Sequence, residues 1–293
     1  MDQDQSINVQ PGTESAPSPR RSERMNWIGD HEVHVGNARF VLSADSTAWD
    51  AIECSPGQFV LLKTKRMLDS LLRSAPERVD NVVDLGIFRG GSVAYYHELF
   101  SPKRLVGIDL ISERVEPLDR FIEQYALSDV VRLYYCTSQD DRRRLVGIVR
   151  ENFGDEQLDL VIDDCSHRYE PTKASLNVLL PRLRAGGVYV IEDWGWAHYP
   201  GRRPENFEKR TEVFSNERIP LSKLILELVM VATSRPQVIS EIHIIGGAVF
   251  VTRGDEDISE EGFNISDCHA SPGRHLLYEE PPRRWSDFLT GRR

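Results

Sequence analysis

Residues 82–92 read VVDLGIFRGGS and carry the strongest structural signal in the sequence. An apolar, β-branched run over 79–85 leads into a glycine-rich turn, and a helical pattern begins at Ser92. Glycines let backbone N–H groups and a helix N-terminus approach a ligand closely. The stretch therefore predicts a buried strand, a ligand-binding turn and a helix, in that order.

Strand and helix patterns alternate after this turn. Apolar runs typical of buried strands occur at 104–109, 130–135, 158–163 and 188–192, with helical patterns between them. A helix near 221–232 is followed by strand-like runs at 238–245 and 248–252, joined by a Gly-Gly turn. Because parallel strands buried on both faces give continuous apolar runs, the pattern predicts a Rossmann-like α/β fold. We expect a mostly parallel seven-stranded sheet with helices on both faces and a terminal antiparallel hairpin.

The chain divides into a core domain and flanking segments. Residues 1–25 are rich in Ser, Pro, Gln and Asp and predict a disordered tail. Residues 26–75 predict an N-terminal appendage that contains a β-hairpin at 31–43 and an amphipathic helix over 57–74. The core domain is assigned to 76–254, and a polar C-terminal extension to 255–293.

Composition excludes several function classes. The 293 residues have a formal net charge of -10, which disfavours a nucleic acid partner. No apolar run approaches the roughly 20 residues that a membrane helix needs. The four cysteines are scattered without a CxxC pair, which favours a reducing compartment. We expect a cytoplasmic protein that binds neither nucleic acid nor a membrane.

The glycine turn and the next strand end predict a nucleotide site. Asp109 ends the second strand, where it is suited to accept hydrogen bonds from two ribose hydroxyls; the alternative is that it caps the following helix. The competing ligand is a nicotinamide dinucleotide, whose G-x-G-x-x-G fingerprint has glycine where this chain has Asp84. A carboxylate there would repel a pyrophosphate but would tolerate the zwitterionic S-adenosylmethionine.

We therefore predict that S-adenosylmethionine is the cofactor. Its contacts after the third strand are assigned by position, and a helix cap is the alternative there. The predicted cofactor-binding residues are Asp84, Gly86, Gly90, Gly91, Ser92, Asp109, Ser138, Gln139, Asp140 and Asp163.

Two acidic pairs lie at the ends of the fourth and fifth predicted strands, Asp163-Asp164 and Glu192-Asp193. Neighbouring strands are about 4.8 Å apart, so these carboxylates would repel one another unless protons or a cation compensate them. Oxygen ligands favour a hard divalent ion, and Mg²⁺ is the expected one. We predict Asp164, Glu192 and Asp193 as metal ligands; the alternative is a set of solvent-facing strand ends.

His167 lies three residues beyond Asp164 and is the predicted general base. A hydroxyl bound to a metal is more acidic than a free one, so His167 could accept its proton before the oxygen attacks the sulfonium methyl. A purely structural histidine is the alternative. Later in the sequence, His198 is interpreted as a lid residue, with the alternatives that it assists as a base or lines the acceptor pocket. Trp194, Trp196 and Tyr199 could stack on the apolar face of a sugar ring; ordinary lid packing is the alternative.

The runs VIDDCSH at 161–167 and LLPRLRAGGVYVIEDW at 179–194 resemble the macrocin O-methyltransferase family. Related sugar O-methyltransferases of natural-product biosynthesis and cephalosporin-hydroxylase-like proteins are similar. The resemblance covers roughly residues 80–253 and implies a class I methyltransferase fold that uses S-adenosylmethionine. It further implies a small, glycosylated acceptor from antibiotic biosynthesis and a homo-oligomer. The chain departs from the family at Cys165, where glycine is usual.

The resemblance also implies roles for individual residues. Asp164, Glu192 and Asp193 match the family's Mg²⁺ ligands, and His167 matches its base. The leading hypothesis is an Mg²⁺-dependent O-methyltransferase that acts on a hydroxyl, expected on a sugar, of a small natural product. The alternatives are an N- or C-methyltransferase, a hydroxylase-like relative acting on another acceptor, and a cofactor-binding regulator without turnover. The complete set of acidic residues and histidine argues against the last of these.

Overall fold

The computed structural model describes residues 21–43, 52–198 and 219–269. Three parts of the predictions lie outside the described residues: residues 1–20 of the predicted tail, the predicted lid residue Tyr199, and residues 270–293 of the predicted extension. Within the described ranges, no helix combines the length and the apolarity that a bilayer crossing requires.

The N-terminal part forms a four-stranded sheet. Its strands are β1 (Met25–Trp27), β2 (Glu32–Val35), β3 (Ala38–Leu42) and β4 (Gln58–Leu61), which lie side by side in that order. The strands β1, β2 and β3 pair in antiparallel fashion, whereas β4 runs parallel to β3. The predicted hairpin at 31–43 is confirmed as β2 and β3.

The prediction of one helix over 57–74 is wrong in its first half. Residues 58–61 form β4, and the helix α1 spans Lys65–Ser74. The local sequence Phe-Val-Leu favours a strand, and all four residues of β4 pair with residues of the parallel strand β3. Thr64 begins the helix, because its side chain accepts a hydrogen bond from the Met67 amide at 3.3 Å.

The described residues include the last part of the predicted tail, residues 21–25. Residues 21–24 form a 3-10 turn that leads directly into β1. The Arg21 guanidinium donates hydrogen bonds to the carbonyl oxygens of Pro76 at 2.5 Å and Glu77 at 2.6 Å. These contacts fasten the start of the described chain to the segment that precedes the core domain.

The core domain is built on a seven-stranded sheet. Its strands are β5 (Asn81–Leu85), β6 (Arg104–Ile108), β7 (Val131–Tyr134), β8 (Leu158–Asp163), β9 (Leu183–Glu192), β10 (Ile239–Ile244) and β11 (Ala248–Arg253). Their order across the sheet is β10-β11-β9-β8-β5-β6-β7. The strands from β9 to β7 are parallel, and β10 and β11 form the antiparallel hairpin.

Helices cover both faces of this sheet. They are α2 (Gly91–Phe100), α3 (Glu116–Gln124), α4 (Arg142–Phe153), α5 (Tyr169–Leu179) and α6 (Ser222–Ser234). The apolar sides of α2 and α3 form one core, which the N-terminal sheet and α1 share. The apolar sides of α4, α5 and α6 form a second core on the other face. The predicted Rossmann-like fold, with its terminal hairpin, is confirmed.

The chain order reverses on either side of β5. Its neighbours are β6, which follows it in the chain, and β8, which follows much later. Parallel α/β sheets bind ligands in the crevice that forms at such a switch point, outside the carboxyl ends of the strands. The turn after β5 is held on both sides here, because Gly86 N donates to Ile108 O at 2.8 Å and Asp164 N donates to Leu85 O at 2.9 Å.

The N-terminal sheet packs on the helix that follows this turn. Phe40 of β3 meets Tyr95 of α2 edge-on at 5.3 Å between ring centroids, and Phe59 of β4 meets Phe121 of α3 at 5.6 Å. At the start of α2, a Cβ on Gly91 would lie 2.0 Å from the Val60 carbonyl oxygen. The sheet therefore covers the N-terminus of α2 through direct backbone contact.

We expect Gly91→Ala to destabilise the protein by about 1–3 kcal/mol, because the backbone of β4 cannot yield to the added methyl group. Gly147→Ala in α4 is the matched control. Its Cβ would meet no atom of the described residues within 4 Å, so alanine should stabilise the helix by roughly 0.5–1 kcal/mol. Urea unfolding of both variants measures the difference. Equal stability of Gly91→Ala and the wild type would contradict the contact between β4 and α2.

Candidate active site

The glycine turn after β5 packs tightly against two neighbouring elements. Gly86 and Gly90 have φ angles of 111° and 82°, in the left-handed region that favours glycine. A Cβ on Gly86 would lie 2.4 Å from the Asp164 carbonyl oxygen, and one on Gly90 would lie 2.7 Å from Leu118 Cβ. The glycines are therefore required by the close approach of the turn to the end of β8 and to α3.

Asp84 lies beneath the turn and is fully buried. Its Oδ2 accepts a hydrogen bond from Ser92 Oγ at 2.7 Å, whereas its Oδ1 is buried without a partner among the described residues. Burial raises the pKa of Asp84 to about 7, although the bond from Ser92 opposes the rise. A buried carboxylate oxygen without a donor fits a cationic ligand such as the ammonium group of S-adenosylmethionine.

Asp109 ties the turn to the loop after β6. Its Oδ2 accepts from the Phe88 amide at 2.8 Å, and its Oδ1 accepts from the Ile111 amide at 3.1 Å. It does not cap the following helix, since α3 begins at Glu116. Each carboxylate oxygen has two lone pairs, so Asp109 can brace the turn and still accept hydrogen bonds from ribose hydroxyls.

Gln139 and Asp163 lie in a buried hydrogen-bond network that includes Ser175 and Tyr189. Gln139 Nε2 donates to both carboxylate oxygens of Asp163 at 2.6 Å, and Ser175 and Tyr189 donate to the same carboxylate at 2.9 and 2.8 Å. Burial raises the pKa of Asp163 to about 6, although these donors oppose the rise. These internal hydrogen bonds use much of the capacity of both side chains, and their contact with a cofactor stays a prediction.

Ser138 and Asp140 lie closer to solvent. Ser138 Oγ donates to Asp140 Oδ1 at 2.5 Å, and Asp140 is exposed. The helix cap that we weighed as an alternative lies one residue further on, at Asp141, whose side chain accepts from the Arg144 amide at 3.0 Å. A cofactor contact at Ser138 and Asp140 stays a prediction.

Three side chains converge at the ends of β8 and β9. Asp164, His167 and Asp193 each offer one ligand atom, and these atoms lie within 4.8 Å of one another. His167 Nδ1 is 4.0 Å from Asp164 Oδ1, and His167 Nε2 is 4.0 Å from Asp193 Oδ2. The predicted adjacency of the two strands is confirmed by their parallel pairing. We call these three residues the acidic trio; its oxygen and nitrogen atoms fit a divalent metal ion.

The backbone of the acidic trio is strained. His167 and Asp193 have φ angles of 54° and 52°, which non-glycine residues rarely adopt. The conformation at Asp193 is held by hydrogen bonds from its amide to Gly247 O at 2.9 Å and from the Trp196 amide to its carbonyl oxygen at 3.3 Å. The His167 ring packs on Trp196 at 4.7 Å between centroids. Strain of this kind persists where the surroundings fix it, and it is concentrated at functional sites.

Glu192 is not part of the trio, and its carboxylate forms an ion pair with a lysine. Lys63 Nζ donates to Glu192 Oε2 at 2.6 Å and to Asp164 Oδ2 at 3.1 Å. Burial would lower the pKa of Lys63, but the two carboxylates hold it well above its ordinary value. Burial likewise raises the pKa of Glu192, and the charge of Lys63 limits that rise. The predicted role of Glu192 as a metal ligand therefore has a competitor within the protein.

Sequence reasoning missed Lys63. It lies 101 residues before Asp164, between β4 and α1, in the stretch that was predicted as one helix. A lysine next to the apolar run FVLL was the available signal. Such a lysine usually covers apolar surface with its stem, and the pattern does not identify its partner.

The residues after β9 continue the wall of the site. Trp194 Nε1 donates to the Ile245 carbonyl oxygen at 2.9 Å and so fixes its ring against the terminal hairpin. His198 is exposed, and its Nε2 lies 2.6 Å from Ser222 Oγ at the start of α6. The predicted lid therefore begins between the hairpin and α6.

Comparisons with known proteins agree with this geometry. Residues 83–194 match a family described as a methyltransferase domain, a range that contains the glycine turn and both acidic pairs. L-olivosyl-oleandolide 3-O-methyltransferase of Streptomyces antibioticus is 26% identical over 170 residues, which cover 56% of this chain and 38% of the relative. Mycinamicin VI 2''-O-methyltransferase of Micromonospora griseorubida is 30% identical over 114 residues, which cover 38% of this chain and 25% of the relative.

A solved structure with a similar arrangement is the MycE methyltransferase of the mycinamycin pathway, in complex with Mg, SAH and mycinamycin VI. It is 23% identical, has a TM-score of 0.49, and the match covers 70% of this chain and 52% of that one. The chain spans less than half of the length of the curated relatives it matches. The sequence matches confirm the predicted resemblance to macrolide and sugar O-methyltransferases.

We expect ionisation of the buried Asp84 carboxyl group to lower the free energy of unfolding as the pH rises. Its folded pKa of about 7 lies above its ordinary value of 3.8, so the unfolded chain releases this proton first. Stability is therefore lost between about pH 4 and pH 7. Asp84→Asn cannot ionise and should gain about 2 kcal/mol over the wild type between pH 5 and pH 8.

Urea unfolding at both pH values measures this difference. Asp129→Asn is the control, since Asp129 is fully exposed, and its pH profile should match that of the wild type. A constant difference between Asp84→Asn and the wild type would contradict the raised pKa of Asp84.

Proposed function

We propose that this chain, a relative of the macrolide and sugar O-methyltransferases, transfers a methyl group from S-adenosylmethionine to a hydroxyl of a small, glycosylated natural product with the help of Mg²⁺. One observation carries the proposal. The glycine turn with Asp84 and Asp109 and the acidic trio lie at the ends of adjacent strands, so that a methyl donor and an activated hydroxyl could meet.

The cofactor part rests on two carboxylates of different character. Asp109 lies at the edge of the turn and suits the ribose hydroxyls, while Asp84 has a buried oxygen that suits an ammonium group. Ser92 positions Asp84 from the first turn of α2. Gly86, Gly90 and Gly91 let the turn pack closely against the end of β8, α3 and β4, which fixes the backbone that we assign to the cofactor.

The metal and base part rests on the acidic trio. A bound divalent ion would make a hydroxyl at the site more acidic, and S-adenosylmethionine would supply the methyl group. We assign Asp164, Asp193 and the third predicted ligand, Glu192, to the ion, and His167 to the proton of the acceptor hydroxyl. The carboxylates of Asp164 and Asp193, each 4.0 Å from the ring, would stabilise the imidazolium that forms.

The acceptor class is proposed from the relatives. Two of these relatives are O-methyltransferases of L-olivosyl-oleandolide and of mycinamicin VI. Trp196 packs on His167, and its aromatic face suits the apolar face of a sugar ring. The homo-oligomer that the resemblance implies and the cytoplasmic location both stay predictions; light scattering at several concentrations would test the first.

The cofactor proposal predicts that S-adenosylmethionine binds and that NAD does not, as isothermal titration would measure. Asp109→Asn should weaken S-adenosylmethionine binding about tenfold or more, because an amide nitrogen replaces one acceptor oxygen of the buried carboxylate. Asp129 lies just before the amino end of β7, whereas the proposed site lies at the carboxyl ends of the strands. Asp129→Asn should therefore bind S-adenosylmethionine like the wild type. NAD binding as tight as that of S-adenosylmethionine would overturn the proposal.

The base assignment predicts that His167→Ala reduces methyl transfer by about 10²–10⁴-fold while the affinity for S-adenosylmethionine stays within about twofold. Transfer is measured by mass spectrometry on a panel of demethylated macrolide glycosides. His34→Ala is the matched control and should retain most of the activity, because His34 is exposed on β2 and pairs with Glu32 rather than with the trio. Equal losses of turnover and cofactor affinity in His167→Ala would contradict the assignment. A loss of Mn²⁺ affinity would make His167 a metal ligand instead.

A further inference from the structure

Lys63 reaches the acidic edge of the core domain from the N-terminal sheet. It lies two residues beyond β4, and its side chain is 3% exposed. Its ammonium group is 2.6 Å from Glu192 Oε2 and 3.1 Å from Asp164 Oδ2. One cation from residues 58–65 thus bridges the ends of β8 and β9, the two strands that supply the acidic trio.

Lys63 reduces the electrostatic repulsion among the carboxylates at the ends of β8 and β9. Glu192 is buried, and Asp164 and Asp193 are its acidic neighbours at the same edge. A buried carboxylate is costly unless a cation or several donors accompany it. Lys63 fulfils this requirement from within the chain, and its short contacts use lone pairs of Glu192 and Asp164 that a divalent ion would also need.

The surroundings make Lys63 part of the site rather than a distant support. Asp84, beneath the glycine turn, also interacts with its charge. The Tyr96 hydroxyl, buried on α2, interacts with the same charge and has no hydrogen-bond partner among the described residues. The charge of the lysine therefore acts on Asp84 of the proposed cofactor site as well as on the carboxylates that it contacts.

We propose that Lys63 is a positioning residue that acts as the built-in counter-ion of the acidic edge and competes with the divalent ion for Glu192 and Asp164. This inference rests on the metal site of the proposed function. Lys63 holds the two carboxylates in place and neutralises part of their charge, so it lowers metal affinity. It also makes the N-terminal sheet a component of the active site.

Mn²⁺ serves as the probe, because its binding can be followed by electron paramagnetic resonance without an acceptor or turnover. The full chain is treated with EDTA, dialysed and titrated as wild type, Lys63→Met, Lys63→Arg and Lys103→Met. Lys103 pairs with Asp80 at 3.2 Å on the surface and is the matched control. Lys63→Met should bind Mn²⁺ about tenfold more tightly than the wild type, because a positive charge beside the ligands is removed.

Two further readouts separate competition from simple support of the fold. Without metal, Lys63→Met should melt at a lower temperature than the wild type, and Mn²⁺ should raise its melting temperature by more than it raises that of the wild type. Lys63→Arg, which keeps the charge, and Lys103→Met should both bind Mn²⁺ with nearly wild-type affinity. Unchanged or weaker Mn²⁺ binding by Lys63→Met would overturn the inference.

A second comparison covers the case in which Lys63→Met does not fold. The double variant Lys63→Met/Glu192→Gln removes both partners of the ion pair, and it should bind Mn²⁺ more tightly than Glu192→Gln alone, which retains the lysine. Equal affinities would overturn the competition. If the wild type and all variants bind S-adenosylmethionine but none binds Mn²⁺, both the metal site and this inference are refuted. If all of them bind Mn²⁺ equally well, only this inference is refuted.

Discussion

Buried carboxylates at the carboxyl ends of three adjacent strands impose the constraint on which the rest of the site depends. The fold compensates each in a different way. Asp163 receives hydrogen bonds from Gln139, Ser175 and Tyr189, Glu192 forms an ion pair with Lys63, and Asp84 receives one bond from Ser92. The more complete the internal compensation, the less capacity a carboxylate has for a ligand. Asp84 retains a buried oxygen without a partner among the described residues, which makes it the carboxylate best suited to a bound cation.

Much of the fold could be predicted because its signals are local. The strands of the core domain are continuous apolar runs, the turn after β5 is marked by glycines, and the hairpin of β10 and β11 is marked by Gly246-Gly247. The adjacency of β8 and β9 then follows from the rules of parallel sheets, and it brings Asp164 close to Asp193. The acidic trio was thus accessible from sequence, although the left-handed conformations that aim His167 and Asp193 were not.

The errors have physical causes that sequence patterns do not contain. Adjacent residues at a strand end point to opposite faces, so of Asp163 and Asp164 one enters the interior and the other faces the crevice. The acidic pair itself does not reveal which is which. Val60 and Leu61 fit the apolar spacing of a helix as well as that of a strand, so their pattern does not identify β4 as a strand. The pairing with β3, 19 residues earlier in the chain, decides between the two. Lys63 was missed for the same reason, since its partners are distant in sequence.

The segment that follows the N-terminal sheet consequently contributes a side chain, Lys63, to the acidic edge of the core domain. A boundary between residues 75 and 76 would separate Lys63 from Glu192, and it would separate the Val60 carbonyl from the helix start at Gly91. The matched methyltransferase domain, residues 83–194, contains the turn and the acidic trio but not the lysine that neutralises them. The charge of the acidic edge is therefore compensated in part by a segment outside the matched domain. Under the proposed competition, a change in this segment would alter metal affinity while the strands that hold the acidic trio stay the same.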